Sequence, residues 1–108
     1  MAITTQISGG ACGLKTVISA SSADGMHVTL TIESDCPQVA AMAAELTELN
    51  AFEQVLRTPL PDTIPLRLSV EHKLHTTCLV PVGILKSVEA AAGLALPAES
   101  WIKVIKSE

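Results

Sequence analysis

From Met26 to Ser34 apolar and polar residues alternate, Met26, Val28, Leu30 and Ile32 against His27, Thr29, Thr31 and Glu33. A period of two belongs to a strand with one buried face. The stretch before it repeats the pattern less cleanly, setting Leu14, Thr16, Ile18 and Ala20 against Lys15, Val17 and Ser19. Between them Ser21 to Gly25 contains an Asp-Gly pair, which supplies the positive φ of a hairpin turn. Residues 14–21 and 26–34 are therefore expected to form an antiparallel hairpin. Ile3 to Ile7 adds an edge strand ahead of Gly9-Gly10.

After Glu33 the period changes. Asp35 or Cys36 can cap a helix, Pro37 suits its first turn, and Gln38 can complete an Asp-x-x-Gln capping box. Val39, Met42, Ala43, Leu46 and Leu49 then recur at helical spacing, which predicts a helix ending at Asn50. Pro59, Pro61 and Pro65 follow within seven residues and predict a loop. Residues 66–74 fit two periods: Leu66, Leu68 and Val70 alternate, yet Leu66, Val70 and Leu74 are helically spaced. The start of this stretch is read as strand.

A second helix opens at Pro81. Ile84, Leu85, Val88, Ala91 and Ala92 are its inner face, and Gly93 stands where a C′ glycine would stop it. Beyond Pro97, the run Trp101 to Lys106 reads as a closing strand. The order of elements predicts an α+β fold, a two-layer sandwich in which a mainly antiparallel sheet carries two helices on one face. Its sheet comprises the N-terminal hairpin and the closing C-terminal strand. At 108 residues the chain suits one domain spanning 1–108.

Composition narrows the function classes. The net charge is −4, and the seven bases are scattered from Lys15 to Lys106. With aromatics at 2% there is neither a phosphate-tracking patch nor a stacking platform, so no nucleic-acid partner is expected. The scarcity of aromatics also leaves little with which to stack a planar organic ligand. The N-terminus lacks the basic and apolar regions of a secretory signal. No apolar run approaches the ~18 residues of a membrane span. The expected setting is cytoplasmic and reducing, with no membrane partner. Low charge and Ala-rich helices suit a homodimer.

In that setting Cys12, Cys36 and Cys78 do not suggest a disulfide framework, because the count is odd. They are small hydrophobes, metal ligands or redox groups. Each sits at an expected chain reversal: Cys12 among Gly9, Gly10 and Gly13, Cys36 at the mouth of the first helix, Cys78 at the mouth of the second. The unpaired amides of a helix start stabilise a thiolate, the form that binds metals and attacks electrophiles. His75 lies three residues before Cys78. Three sulfurs and one imidazole make a tetrahedral zinc set, or the ligands of an iron–sulfur cluster. Intervals of 24 and 42 residues match no zinc-ribbon or ferredoxin spacing, so convergence requires the tertiary fold.

Other groups take simpler readings: His27 is solvated on its strand's polar face, His72 sits on an exposed segment, and Asp35 is a helix cap. Two further functional classes stand beside metal binding. In one, Cys36 or Cys78 is the nucleophile of a thiol-dependent redox enzyme with His75 as base. In the other, the chain is a non-catalytic interaction module with structural cysteines.

The segments Gly10-Ala11-Cys12-Gly13-Leu14, Glu33-Ser34-Asp35-Cys36-Pro37 and His75-Thr76-Thr77-Cys78-Leu79-Val80-Pro81 resemble those of a family of small uncharacterised cysteine-containing proteins, a domain of unknown function from anaerobic bacteria and archaea. Gly83 to Glu89 and Gly93 to Pro97 extend the resemblance, which runs from about Gly10 to Val104. It implies an architecture and a role for the thiols, not a reaction, and an anaerobic setting is compatible with an oxygen-sensitive cluster or metal thiolate. A fainter similarity to thiol peroxidases of the organic-hydroperoxide-resistance type rests on cysteines near helix starts. Their activating arginine has no matching position here.

Overall fold

The alternation at the N-terminus becomes a four-stranded antiparallel sheet in a computed structural model that describes residues 1–108. Its strands are β1 (Ala2–Ser8), β2 (Lys15–Ser21), β3 (His27–Ser34) and β4 (Glu48–Asn50), in the spatial order β1-β2-β3-β4. Register pairs Ile3 with Ala20, Ile18 with Ile32 and Val28 with Leu49. Thr16, Ile18, Ala20, Val28 and Leu30 thus face the core, while Ser19, Thr29, Thr31 and Glu33 face out. The expected hairpin and edge strand form within a residue or two of their expected limits.

The hairpin turn shows why Asp-Gly was needed. Gly25 takes φ 74°, and the Asp24 carboxylate accepts from the backbone N–H groups of Met26 and His27 at 2.8 Å each. Its second oxygen meets His27 Nδ1 at 2.7 Å.

Three helices cover the inner face: α1 (Pro37–Ala43), α2 (Ile64–Glu71) and α3 (Val80–Ala91). α3 crosses β1 and β2, α1 lies on β3, and α2 packs against α3 and α1. The core between the layers holds Ile18, Val28, Met42, Leu46, Ile84 and Val88, each no more than 1% exposed. α3 approaches β1 at Gly83, where an added Cβ would collide with the Ile7 side chain. One turn later the buried Ser87 hydroxyl lies 2.7 Å from both Thr5 Oγ1 and the Gly83 carbonyl oxygen. α3 matches the second expected helix, with Gly93 at C′: φ is 76°, Gly93 N–H donates to Ala90 O, and Leu94 N–H donates to Glu89 O.

Three expectations are corrected, and a third helix, α2, joins the two expected. The first helix stops at Ala43 rather than Asn50, and Glu48–Asn50 becomes β4. Leu46 and Leu49 are buried under either reading, but β3 offers backbone groups that a strand satisfies: Leu30 N–H donates to Thr47 O at 2.8 Å and Ala51 N–H to Met26 O at 2.7 Å. Residues 64–71 are helical, not strand. Pro65 falls in the first turn, where its missing N–H costs nothing, and Pro65 and Ser69 are buried one turn apart. Phe52–Arg57, beyond the expected limit of the first helix, is π-helical. Finally, Trp101 to Lys106 is not a closing strand: it pairs with neither edge of the sheet, and residues 96–108 are exposed throughout.

Two outcomes test these packing claims. Gly83→Ala should destabilise the fold by about 1–2 kcal/mol despite alanine's helix propensity, as overpacking does, and Ile7→Ala should recover part of that loss; denaturant titration of the single and double variants measures both. The hydrogen bond from His27, then those from the Met26 and His27 amides, hold Asp24 well below the usual carboxylate range. Asp24 in turn raises His27 above its ordinary 6.5. The pair's stabilisation is lost in acid as Asp24 protonates and lost in base as His27 deprotonates through its raised value. In NMR titrations Asp24→Asn should return the His27 midpoint toward 6.5.

Candidate functional site

One end of the sandwich gathers the turn after β1, the end of β3, the C-terminus of α2 and the N-terminus of α3. A cleft of about 370 Å³ opens there, and Cys12, Cys36, Cys78 and His75 all line it. The four groups singled out from sequence therefore share one cavity, although they come from three distant segments. No three of the chain's His, Cys, Asp and Glu side chains stand close enough to hold a metal ion as arranged. The shared wall, not a formed coordination sphere, is what the fold supplies.

Each thiol is free and each is held differently. Cys12 ends a short 3-10 turn, Gly10–Cys12, closed by Gly13 N–H donating to Gly10 O at 3.0 Å. Gly10 and Gly13 both have positive φ, 67° and 69°, which a residue with a side chain would strain to adopt. The Cys12 sulfur folds back over Gly9, occupying the space where a Cβ would stand. Cys12 is exposed; Cys36 and Cys78 are half-buried and pack against the core.

Cys36 is the N-cap of α1, but without a capping side-chain hydrogen bond. The expected Asp-x-x-Gln box does not form. Asp35 instead accepts from Lys15 N–H at 3.2 Å, tying the end of β3 to the start of β2, and Gln38 Oε1 accepts from the Cys36 thiol at 3.3 Å. The Ser34 hydroxyl accepts from Cys36 N–H at 3.1 Å and lies 2.7 Å from Thr16 Oγ1. Cys78 stands just before Leu79, the N-cap of α3, and Cys78 N–H donates to His75 O at 3.1 Å. That bond closes the turn carrying both residues. The exposed His75 imidazole lies on the cleft rim. His72 belongs elsewhere, since its Nε2 pairs with Glu45. His27 is likewise remote, at the hairpin end.

Lys73 is a lining residue that periodicity did not reveal. α2 ends in a Schellman turn, with Leu74 N–H donating to Ser69 O at 3.0 Å and Lys73 N–H to Val70 O at 3.2 Å. The left-handed C′ position of such a turn favours glycine, yet Lys73 occupies it at φ 56°. No glycine follows α2 to announce that ending. The rest of the cleft wall is mostly apolar, with Ile7, Leu14, Val39, Leu74 and Val80 beside Thr16, Gln38 and Thr77; Lys73 and His75 are its bases, and no Asp, Glu or Arg lines it. In a chain of net charge −4, the cleft wall itself carries no carboxylate.

Gly9→Ala should evict the Cys12 sulfur from its seat. The expected result is a several-fold faster alkylation of Cys12, with Cys36 and Cys78 unchanged, read by peptide-resolved mass spectrometry after timed labelling.

Residues 3–104 match the model of a family of unknown function (DUF6951), and the chain belongs to that family. No curated protein and no solved structure matches it. No helix is long and apolar enough to cross a membrane.

Proposed function

We propose that this member of a family of unknown function uses the cleft to hold a thiophilic metal ion, zinc, or an iron–sulfur cluster, through Cys12, Cys36 and Cys78 with His75 as fourth ligand. Its role would be storage, delivery or assembly in a reducing cytoplasm. The observation that carries this reading is the convergence of three cysteines and a histidine on one cleft that no carboxylate lines. Cysteines serving only as small core hydrophobes have no reason to share a cavity wall. Sulfur and imidazole donors suit zinc and iron, whereas oxygen-seeking magnesium and calcium would find no carboxylate there.

Charge supports the same reading. Three thiolates around a divalent ion leave a net negative centre, and Lys73 stands in the wall with a compensating charge. A non-glycine residue held left-handed costs about 1 kcal/mol, so lysine at this C′ position is a local expense that a charge role accounts for. Binding requires closure. Cys12 and His75, the exposed members, lie on short surface turns, and drawing those turns toward Cys36 and Cys78 completes the set. The anaerobic source implied by the sequence resemblance would protect such a centre from oxidation.

Anaerobic purification with elemental analysis and absorption spectroscopy tests the proposal. The expected result is about one metal ion or cluster per chain, lost when Cys36 and Cys78 are both replaced by serine. Lys73→Gly should raise thermal stability and yet release the metal more readily to a chelator. Metal content unchanged in the double serine variant overturns the reading.

A further inference from the structure

The exposed C-terminal segment and the outer edge of β1 are complementary. We propose that Ser100–Lys106 of one copy adds as a strand to the β1 edge of a second copy, reciprocally, to close a twofold dimer. Trp101, Ile102, Val104 and Ile105 are 66–94% exposed, and the segment has no strand partner in its own chain. Its aromatic and β-branched residues are strand formers. Large apolar side chains left together in water mark an interaction surface.

The β1 edge is equally unguarded. Met1 and Ser22 exchange backbone bonds, with Ser22 N–H donating to Met1 O at 3.2 Å and the terminal amine donating to Ser22 O at 2.7 Å. Gly9 N–H donates to Leu14 O at the other end. Antiparallel pairs alternate, so Ile3, Thr5 and Ile7 bond to β2, while Ala2, Thr4, Gln6 and Ser8 direct their N–H and C=O groups outward. Natural edges are blunted by charge, proline, a bulge or brevity. β1 runs seven residues, AITTQIS, with no charge and no proline, and pairs with β2 without a bulge. β4, at the opposite edge, has only three residues.

A strand added at β1 would also cover the flanks of Ile3 and Ile7, which remain half-buried because nothing lies beyond them. As a strand the segment alternates, so Trp101 and Ile105 share one face and Ile102 and Val104 the other, and each junction lays two apolar side chains beside Ile3 and Ile7 together with a backbone ladder. One chain supplies both the free strand and the free edge, so the exchange closes with two equal junctions and leaves neither exposed.

Light scattering after size exclusion tests this on the full chain, with the fluorescence of Trp101, the one tryptophan, as a second readout. A dimer is expected, with Trp101 emission shifting to the blue as dimer forms. Deleting Ser100–Glu108 should give a monomer. So should Gln6→Pro, which removes an outward N–H and leaves the β1–β2 bonds intact; both variants should keep the far-ultraviolet circular dichroism of the fold. Mixed, the two variants should form a heterodimer through one intact junction, dissociating at least about tenfold more readily than the full-length dimer. A monomeric full chain, a dimer that survives either change, or Trp101 buried within a monomer overturns the proposal.

Discussion

Everything at the cleft depends on how α3 is seated across β1 and β2. The seat is narrow: Gly83 lets the helix backbone down onto Ile7, and the Ser87 hydroxyl meets Thr5 in the edge strand. With that contact made, Ile84 and Val88 close the core over Ile18. The start of the helix then projects beyond the sheet end, carrying Cys78 to the place where β1 turns through Cys12 and β3 gives way to Cys36. A thicker residue at Gly83 would move the helix axis, and the third thiol with it.

Much of this was legible in the sequence because it is encoded locally. Period-two alternation at 26–34, Asp24-Gly25, and a proline and a glycine bracketing α3 each state a conformation within a few residues. What escaped was decided at long range. Leu46 and Leu49 have helical spacing after Met42, but the unpaired edge of β3 claimed that segment as a strand. Leu66 to Leu74 fitted both periods, and burial of Pro65 and Ser69, the latter against Met42 of α1, chose the helix. The site divides in the same way. Cysteines at chain reversals were visible as such, whereas their shared wall required the assembled sheet. Lys73 could not be found from pattern, because a lysine stands where the turn would favour glycine.

The cleft's electrostatics differ from those of the chain that carries it. Acids outnumber bases overall, yet Asp35, the neighbour of Cys36 in sequence, is tied to the Lys15 amide, and Glu45 is held by His72. The same bonds that hold the scaffold thus remove oxygen ligands from the sulfur cavity. A site can be made selective by what its neighbours are already doing.

The bond between Ser87 and Thr5 joins residues 82 positions apart. β1, β2 and β3 meet their partners through short turns, so most of the sheet can form from neighbouring chain. α3 must close a loop spanning most of the molecule, the costliest entropic step available to this topology. Cys12 and Cys36 are therefore brought together by local structure, and Cys78 joins them only when the whole chain has folded. The thiol set is in this sense a record of completed folding: a fragment lacking α3, or a chain still emerging from synthesis, would hold two of its members without the third.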